Sequence, residues 1–184
     1  LVNKYVKGLI HKMHHNERGE FTELKELILS IIDKEIRNLI ENEGFYRVIS
    51  DPASGIKSAD ETLIQKTLKI ALEKELLEKG LRKSDIHREV ETHNGFKYDY
   101  MISYGLFGPI MVELKLMKND EILSPSKRSG CKIKLKKYLD ANKGMGIYAI
   151  FQTENKTTHY TKYTQMLDEY KDLKGLDIIA LKCC

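Results

Sequence analysis

A chain of 184 residues with 41% hydrophobic and 32% charged residues can build one domain with a real core, or one domain plus a helical appendage. Two full domains would need more. No stretch approaches the roughly 18 uninterrupted apolar residues of a membrane span, so a soluble chain is expected. A formal net charge of +4 does not by itself announce a nucleic-acid binder. Three cysteines, two of them the adjacent Cys183 and Cys184, give neither a disulfide framework nor a zinc-ligand spacing, which fits a reducing cytoplasm. The chain begins with Leu and shows no signal peptide, pointing to a piece of a longer protein.

In chain order, His11, His14 and His15 have helix-face spacing but no acid or Cys to complete a metal site, and read as surface histidines. Leu24, Leu27, Ile28, Ile31, Ile32, Ile36, Leu39 and Ile40 recur at three- and four-residue intervals, predicting a helix over about Phe21 to Glu43 that Gly44 stops. Its broad apolar stripe suits pairing with a second copy or with further domains of a larger protein. Asp51 to Gly55 has loop chemistry, so the boundary is placed there: an N-terminal helical appendage over 1–55 and the main domain over 56–184. Ser58 and Glu61 have capping-box spacing before a helix whose buried face is Leu63, Ile64, Leu68, Ala71, Leu72, Leu76 and Leu77, ending at Gly80.

The period then changes to an extended one. His87 to Thr92, an Asn94-Gly95 turn and Lys97 to Tyr104 predict an antiparallel hairpin. A second turn over Gly105 to Pro109 leads to a third strand, Ile110 to Leu116. A basic helix follows, with Cys131, Leu135, Tyr138 and Leu139 on one face, broken by Gly144 and Gly146. Ile147 to Phe151 reads as a buried strand, Thr161 to Tyr170 as a helix and Asp177 to Leu181 as a last strand. The chain is thus α/β, in the order helix, three strands, helix, strand, helix, strand.

The chemistry sits on the second and third strands. Glu113 and Lys115, two apart on a strand, project to one face, while Val112 and Leu114 project to the other. An acid and a base in so apolar a strand are costly without partners or a metal. Asp99 lies in another core-like run, amid Tyr98, Tyr100 and Ile102. Antiparallel pairing through the Gly105 to Pro109 turn brings it opposite Glu113 or one ladder step away. Two carboxylates in such a niche suit Mg²⁺ or Mn²⁺, and Lys115 beside them can stabilise phosphate charge or act on an attacking water. The plain alternative is a buried ion-pair cluster. Buried pairs contribute weakly to stability, so a fold gains little by installing one for that purpose.

Lys97-Tyr98-Asp99, fourteen residues before Glu113-Leu114-Lys115, resembles the acid and Glu-x-Lys pair of the PD-(D/E)XK nuclease superfamily. The resemblance covers about Ala59 to Thr153. It implies a restriction-endonuclease-like core (helix, three-strand meander, helix, strand) and a Mg²⁺- or Mn²⁺-dependent nuclease acting on nucleic acid, DNA first. It also implies roles. Asp99, Glu113 and the Leu114 carbonyl would hold metal, and Lys115 would act on the water. Glu61 matches the first-helix acid best and Glu73 second, while Glu89 or Glu91 would be a further acid from the first strand. Two departures are visible: Tyr98 stands where the family's Pro would be, and Lys134 and Tyr138 stand where one large branch carries Gln and Tyr.

From Lys127 to Lys143 there are seven basic residues and one acid, Asp140. Of these, Lys127, Arg128, Lys132, Lys134 and Lys136 are the candidate contacts to backbone phosphates. No nucleophile elbow or Gly-rich phosphate loop is present, so covalent hydrolase and nucleotide-binding readings lack support. The rivals to a DNA nuclease are an RNA-cleaving nuclease and a non-catalytic nucleic-acid or protein binding module on the same fold.

Overall fold

The computed structural model describes residues 17–38, 61–91, 97–104, 107–141 and 145–182. Its elements are helix α1 (Glu17–Ser30), continued by a π-helical turn over Ile31–Ile36; α2 (Glu61–Glu78); strands β1 (Ile86–Glu91), β2 (Lys97–Tyr104) and β3 (Phe107–Leu116); a short α3 (Asp120–Leu123); α4 (Pro125–Ala141); β4 (Gly146–Gln152); α5 (Thr157–Tyr170); and β5 (Leu176–Lys182). The five strands form one mixed sheet in the order β1-β2-β3-β4-β5. The first three are antiparallel, and β3, β4 and β5 are parallel. β3 is therefore central, and its neighbours run in opposite senses. The element order agrees with the predicted one, except that the short α3, which was not predicted, precedes the basic helix. The Asp51–Gly55 loop, the Ser58 cap, the Asn94–Gly95 turn, Gly44, Gly144, the three N-terminal histidines, Cys183 and Cys184 lie outside the described residues.

Alternation along the strands splits the core in two. Tyr100, Ile102, Ile110, Val112, Leu114, Ile147 and Ala149 face α1 and α2, meeting Ile28, Ile32, Leu68, Leu72 and Leu76. Met111, Tyr148 and Ile150 face α4 and α5, meeting Leu135, Tyr138, Leu139, Met166 and Tyr170. The helix expected to stand in an appendage thus shares the sheet's own core, and Lys25 ties it to β5 through Asp177 at 2.7 Å. Its π-helical turn has a sequence cause. Consecutive Ile31 and Ile32 are both buried along with Ile36, and a wider turn brings neighbouring residues nearer the same face. In α2, Leu68, Ala71, Leu72 and Leu76 are buried as predicted, but Leu77 is 38% exposed because it has rotated past the stripe. Gly80, at φ 95°, closes this helix. Its amide and that of Leu81 donate to the carbonyls of Leu77 and Leu76, the paired bonds of a Schellman stop.

Strand β3 starts earlier than predicted and takes in Pro109, which cannot donate to a ladder. The fold accommodates it where the β2–β3 register shifts, between Ile102 and Tyr104. At the other end of the crossover, a side chain on Gly146 would come within 2.6 Å of Met111 Cε and 3.3 Å of Leu139 Cδ2. Glycine there lets β4 begin directly beneath α4.

One basic residue proves structural. Arg128 is 2% exposed. Its guanidinium forks onto Glu169 of α5 at 2.7 and 3.1 Å and donates to the Ile122 carbonyl at 3.1 Å. This corrects its sequence assignment as a phosphate contact: the side chain clamps α4 to α5 and has no access to a ligand. Removing one partner of a buried pair leaves the other uncompensated. Glu169→Ala should therefore lower stability in chemical denaturation by about 2–3 kcal/mol, below the range for two fully buried partners because Glu169 is 41% exposed. A loss under about 0.5 kcal/mol, the size of an exposed pair, would contradict the clamp.

Candidate metal and phosphate site

The register of β2 and β3 sets Tyr100 opposite Val112, and the next step brings Asp99 across from Glu113. The ladder gives way at this point. The Leu114 amide donates to Asp99 Oδ2 at 2.7 Å, so a side chain takes a bond that a strand carbonyl would otherwise accept. On the other side of β2, Arg88 pairs with Tyr100 and Val90 with Tyr98. Between them Glu89 adopts φ 53°, a left-handed conformation that costs a non-glycine residue about 1–2 kcal/mol. A second anchor comes from α2, where Gln65 Nε2 donates to Asp99 Oδ1 at 2.8 Å. The Tyr100 hydroxyl donates in turn to the Gln65 carbonyl, tying that turn of α2 to β2.

Glu113 points to the α4 side of the sheet and is 3% exposed. Lys134, reaching down from α4, meets its Oε1 at 2.6 Å, and Lys115 stands 3.9 Å from the same oxygen. The other oxygen, Oε2, is buried and has no hydrogen-bond partner among the described residues. Lys115 is also 3.5 Å from Glu121 in the first turn of α3, a helix capped by the Asn119 side chain on the Glu121 amide at 2.9 Å. Lys134 lies 5.2 Å from the ring centre of Tyr138, whose hydroxyl donates to the Lys97 carbonyl at 2.6 Å. Asp99, Glu113, Lys115, Lys134 and Tyr138 thus gather where β2 and β3 meet α4, with Gln65 reaching Asp99 from α2 and Glu121 reaching Lys115 from α3.

The structure sorts the predicted residues. Asp99, Glu113 and Lys115 come together, and Lys134 joins them by binding the acid. Glu73 pairs along its own helix with Lys69 at 3.4 Å, and Glu89 is exposed and pairs with Arg88 at 3.0 Å. The side chains of Glu61 and Glu91 lie outside the described residues. Among the described residues no three His, Cys, Asp or Glu side chains gather closely enough to hold a metal ion. On the outer side of α4, Lys127 is exposed, Lys132 pairs with Asp172 at 2.7 Å, and Lys136 pairs with Asp140 at 3.1 Å. Sequence reading missed Gln65 and Glu121. Gln65 stands one turn beyond Glu61, the helix position already singled out. For Glu121 no comparable signal exists.

The electrostatics follow from burial. Desolvation, and then the charge of Asp99, raise the Glu113 carboxyl from 4.5 to about 7 against the pull of Lys134 and Lys115. Burial works against the Lys134 ammonium too, but the Glu113 carboxylate outweighs it and holds this lysine protonated above its ordinary range. Burial, with Glu113 second, pushes the Tyr138 hydroxyl up to about 12. A carboxyl raised on folding contributes stability that is fully present below about pH 4.5 and is lost as pH rises through about 7. In EDTA, the stability of the protein relative to Glu113→Gln should therefore fall as pH is raised across that window, measured by urea denaturation. A relative gain over the same window would show the lysines winning and Glu113 depressed.

No curated protein and no solved structure matches this chain. Residues 24–155 match the family described as "Domain of unknown function (DUF8371)", a span running from the buried stripe of α1 through every residue of the site to the loop after β4. The chain belongs to that family.

Proposed function

We propose that the chain is a divalent-metal-dependent nuclease of the PD-(D/E)XK kind, with a restriction-endonuclease-like core, that hydrolyses phosphodiester bonds in DNA. The observation that carries this reading is the meeting of Asp99, Glu113 and Lys115 on neighbouring strands, with Glu113 buried and its Oε2 lacking a hydrogen-bond partner among the described residues. A buried carboxylate oxygen with open lone pairs, beside a second carboxylate, fits a hard cation such as Mg²⁺ or Mn²⁺. Asp99, Glu113 and the Leu114 carbonyl would hold it, with Glu61 or Glu91 as a third acid. When bound, such an ion supplies a Lewis acid and a water acidified toward neutral pH.

The remaining roles belong to the chain. Gln65 and the Leu114 amide fix both oxygens of Asp99, so the carboxylate needs little reorganisation on binding. Glu113 and Glu121 hold the Lys115 ammonium between them, where it orients a water and offsets negative charge building on the phosphate. Lys127, Lys132 and Lys136 offer cations to the DNA backbone without regard to sequence. The buried free thiol of Cys131 suits a cytoplasmic setting, and among the described residues no helix is long and apolar enough to cross a membrane.

One observation favours a second reading. The 2.6 Å contact of Lys134 with Glu113 would also suit a structural ion pair in a non-catalytic binding module. Incubation with plasmid, linear DNA and RNA under Mg²⁺, Mn²⁺ and EDTA separates the two. The proposal expects metal-dependent DNA cleavage that Lys115→Ala reduces by at least about 100-fold, with DNA affinity kept within a few-fold. DNA binding without cleavage in any metal selects the binding module, and cleavage confined to RNA reassigns the substrate.

A separate measurement tests the outer face of α4. Reversing Lys132 and Lys136 to Glu should weaken binding to all DNA sequences alike and flatten its salt dependence, each phosphate contact contributing roughly −0.9 to the log–log slope. An unchanged slope would make these lysines an ordinary solvated surface.

A further inference from the structure

We propose that Lys134 is the resident counter-cation of this site: it neutralises Glu113 while no divalent ion is bound and gives up that oxygen when one arrives. The inference rests on the metal-site reading above. Its ground is the unequal way the two lysines are held. Lys115 has a second acid, Glu121, at 3.5 Å and keeps a partner whatever binds Glu113. Lys134 is held at the site by Glu113 Oε1 at 2.6 Å and by the face of Tyr138 at 5.2 Å. Its side chain is 31% exposed, against 4% for that of Glu113, so it descends from the rim of the site onto a buried acid.

A divalent ion coordinating Glu113 at the usual distance and an ammonium still 2.6 Å from that carboxylate would stand within about 5 Å of each other, where repulsion is strong even at protein-like dielectric. The ammonium sits on a flexible four-carbon stem and can swing toward the rim. There, still on the inner side of α4 and next to the ion, it would meet a phosphate held by that ion. Ion binding would thus free a cation for the substrate. Loss of that cation would make ion binding easier, because no ion pair has to be broken first.

The experiment titrates Mn²⁺ calorimetrically, with no nucleic acid present, into the protein, Lys134→Met, Lys134→Arg and Lys136→Met. Lys134→Met keeps an unbranched chain against Tyr138 and should bind Mn²⁺ about three- to tenfold more tightly. Lys136→Met removes the same charge from the same helix at an exposed position 3.1 Å from Asp140, and should stay within about twofold of the parent. Lys134→Arg keeps a cation on Glu113 and should bind no more tightly than the parent. Thermal melts supply a second readout: Lys134→Met should melt below the parent in EDTA, and saturating Mn²⁺ should close the gap. Equal affinity in Lys134→Met and Lys136→Met, or tighter binding by Lys134→Arg, overturns the role of Lys134 and leaves the metal site standing. A parent and variants that all fail to bind Mn²⁺ overturn the metal-site reading, and this inference with it.

Discussion

A carboxylate at the centre of a covered sheet has to be compensated from nearby, and at Glu113 the compensation is divided and incomplete. Two lysines approach one oxygen, from β3 itself and from α4, while the other oxygen is buried without a hydrogen-bond partner among the described residues. An uncompensated charge costs several kcal/mol in such a place, and the group instead shifts its pKa toward neutrality. The arrangement around it follows from this constraint. Lys134 descends onto Glu113 from α4, and Tyr138, one turn on, lies over the end of β2 against Tyr98, with ring centres 4.4 Å apart. Asp99, whose charge adds to the cost of ionising Glu113, accepts from a strand amide and from a glutamine amide.

Much of this frame was legible in the sequence because strand pairing is governed by local arithmetic. A short turn between β2 and β3 fixes the register to within a step, and alternation fixes the faces, so Asp99, Glu113 and Lys115 could be assembled from their numbers alone. The position of α1 was harder to read. Its apolar stripe is plain, but a stripe does not say which surface covers it. Only the structure puts Ile28 and Ile32 on the same core as Val112 and Leu114.

The basic helix shows where reading charge alone goes astray. Arg128 and Lys134 belong to the same side of α4 as Cys131, Leu135 and Tyr138, by spacings of three, four and seven residues. That phase assigns them to the interior before any charge is counted. One became a clamp on Glu169 and the other a partner of Glu113, which leaves Lys127, Lys132 and Lys136 for solvent and ligands. The local basic run is thus two populations with different work. Gln65 and Glu121 had no such signal, because contacts between distant elements depend on how helices pack over the sheet, and no spacing encodes that.

The central claim is that Asp99 and Glu113 form a pair strained by mutual repulsion and relieved by a divalent ion, as opposed to a finished structural ion cluster. Thermal melts of the protein and of Asp99→Asn, each in EDTA and in saturating Mn²⁺, test it without any substrate. Asparagine can still accept the Leu114 amide, and the Gln65 amide can turn to accept from its NH₂, so the substitution changes charge with little change of shape. The account predicts that Asp99→Asn in EDTA is as stable as the parent or more stable by roughly 1 kcal/mol. It also predicts that Mn²⁺ raises the melting temperature of the parent through binding to the native state alone, and that the mutant loses most of that rise. A mutant destabilised by about 3 kcal/mol or more, together with a parent whose melting ignores Mn²⁺, would contradict it.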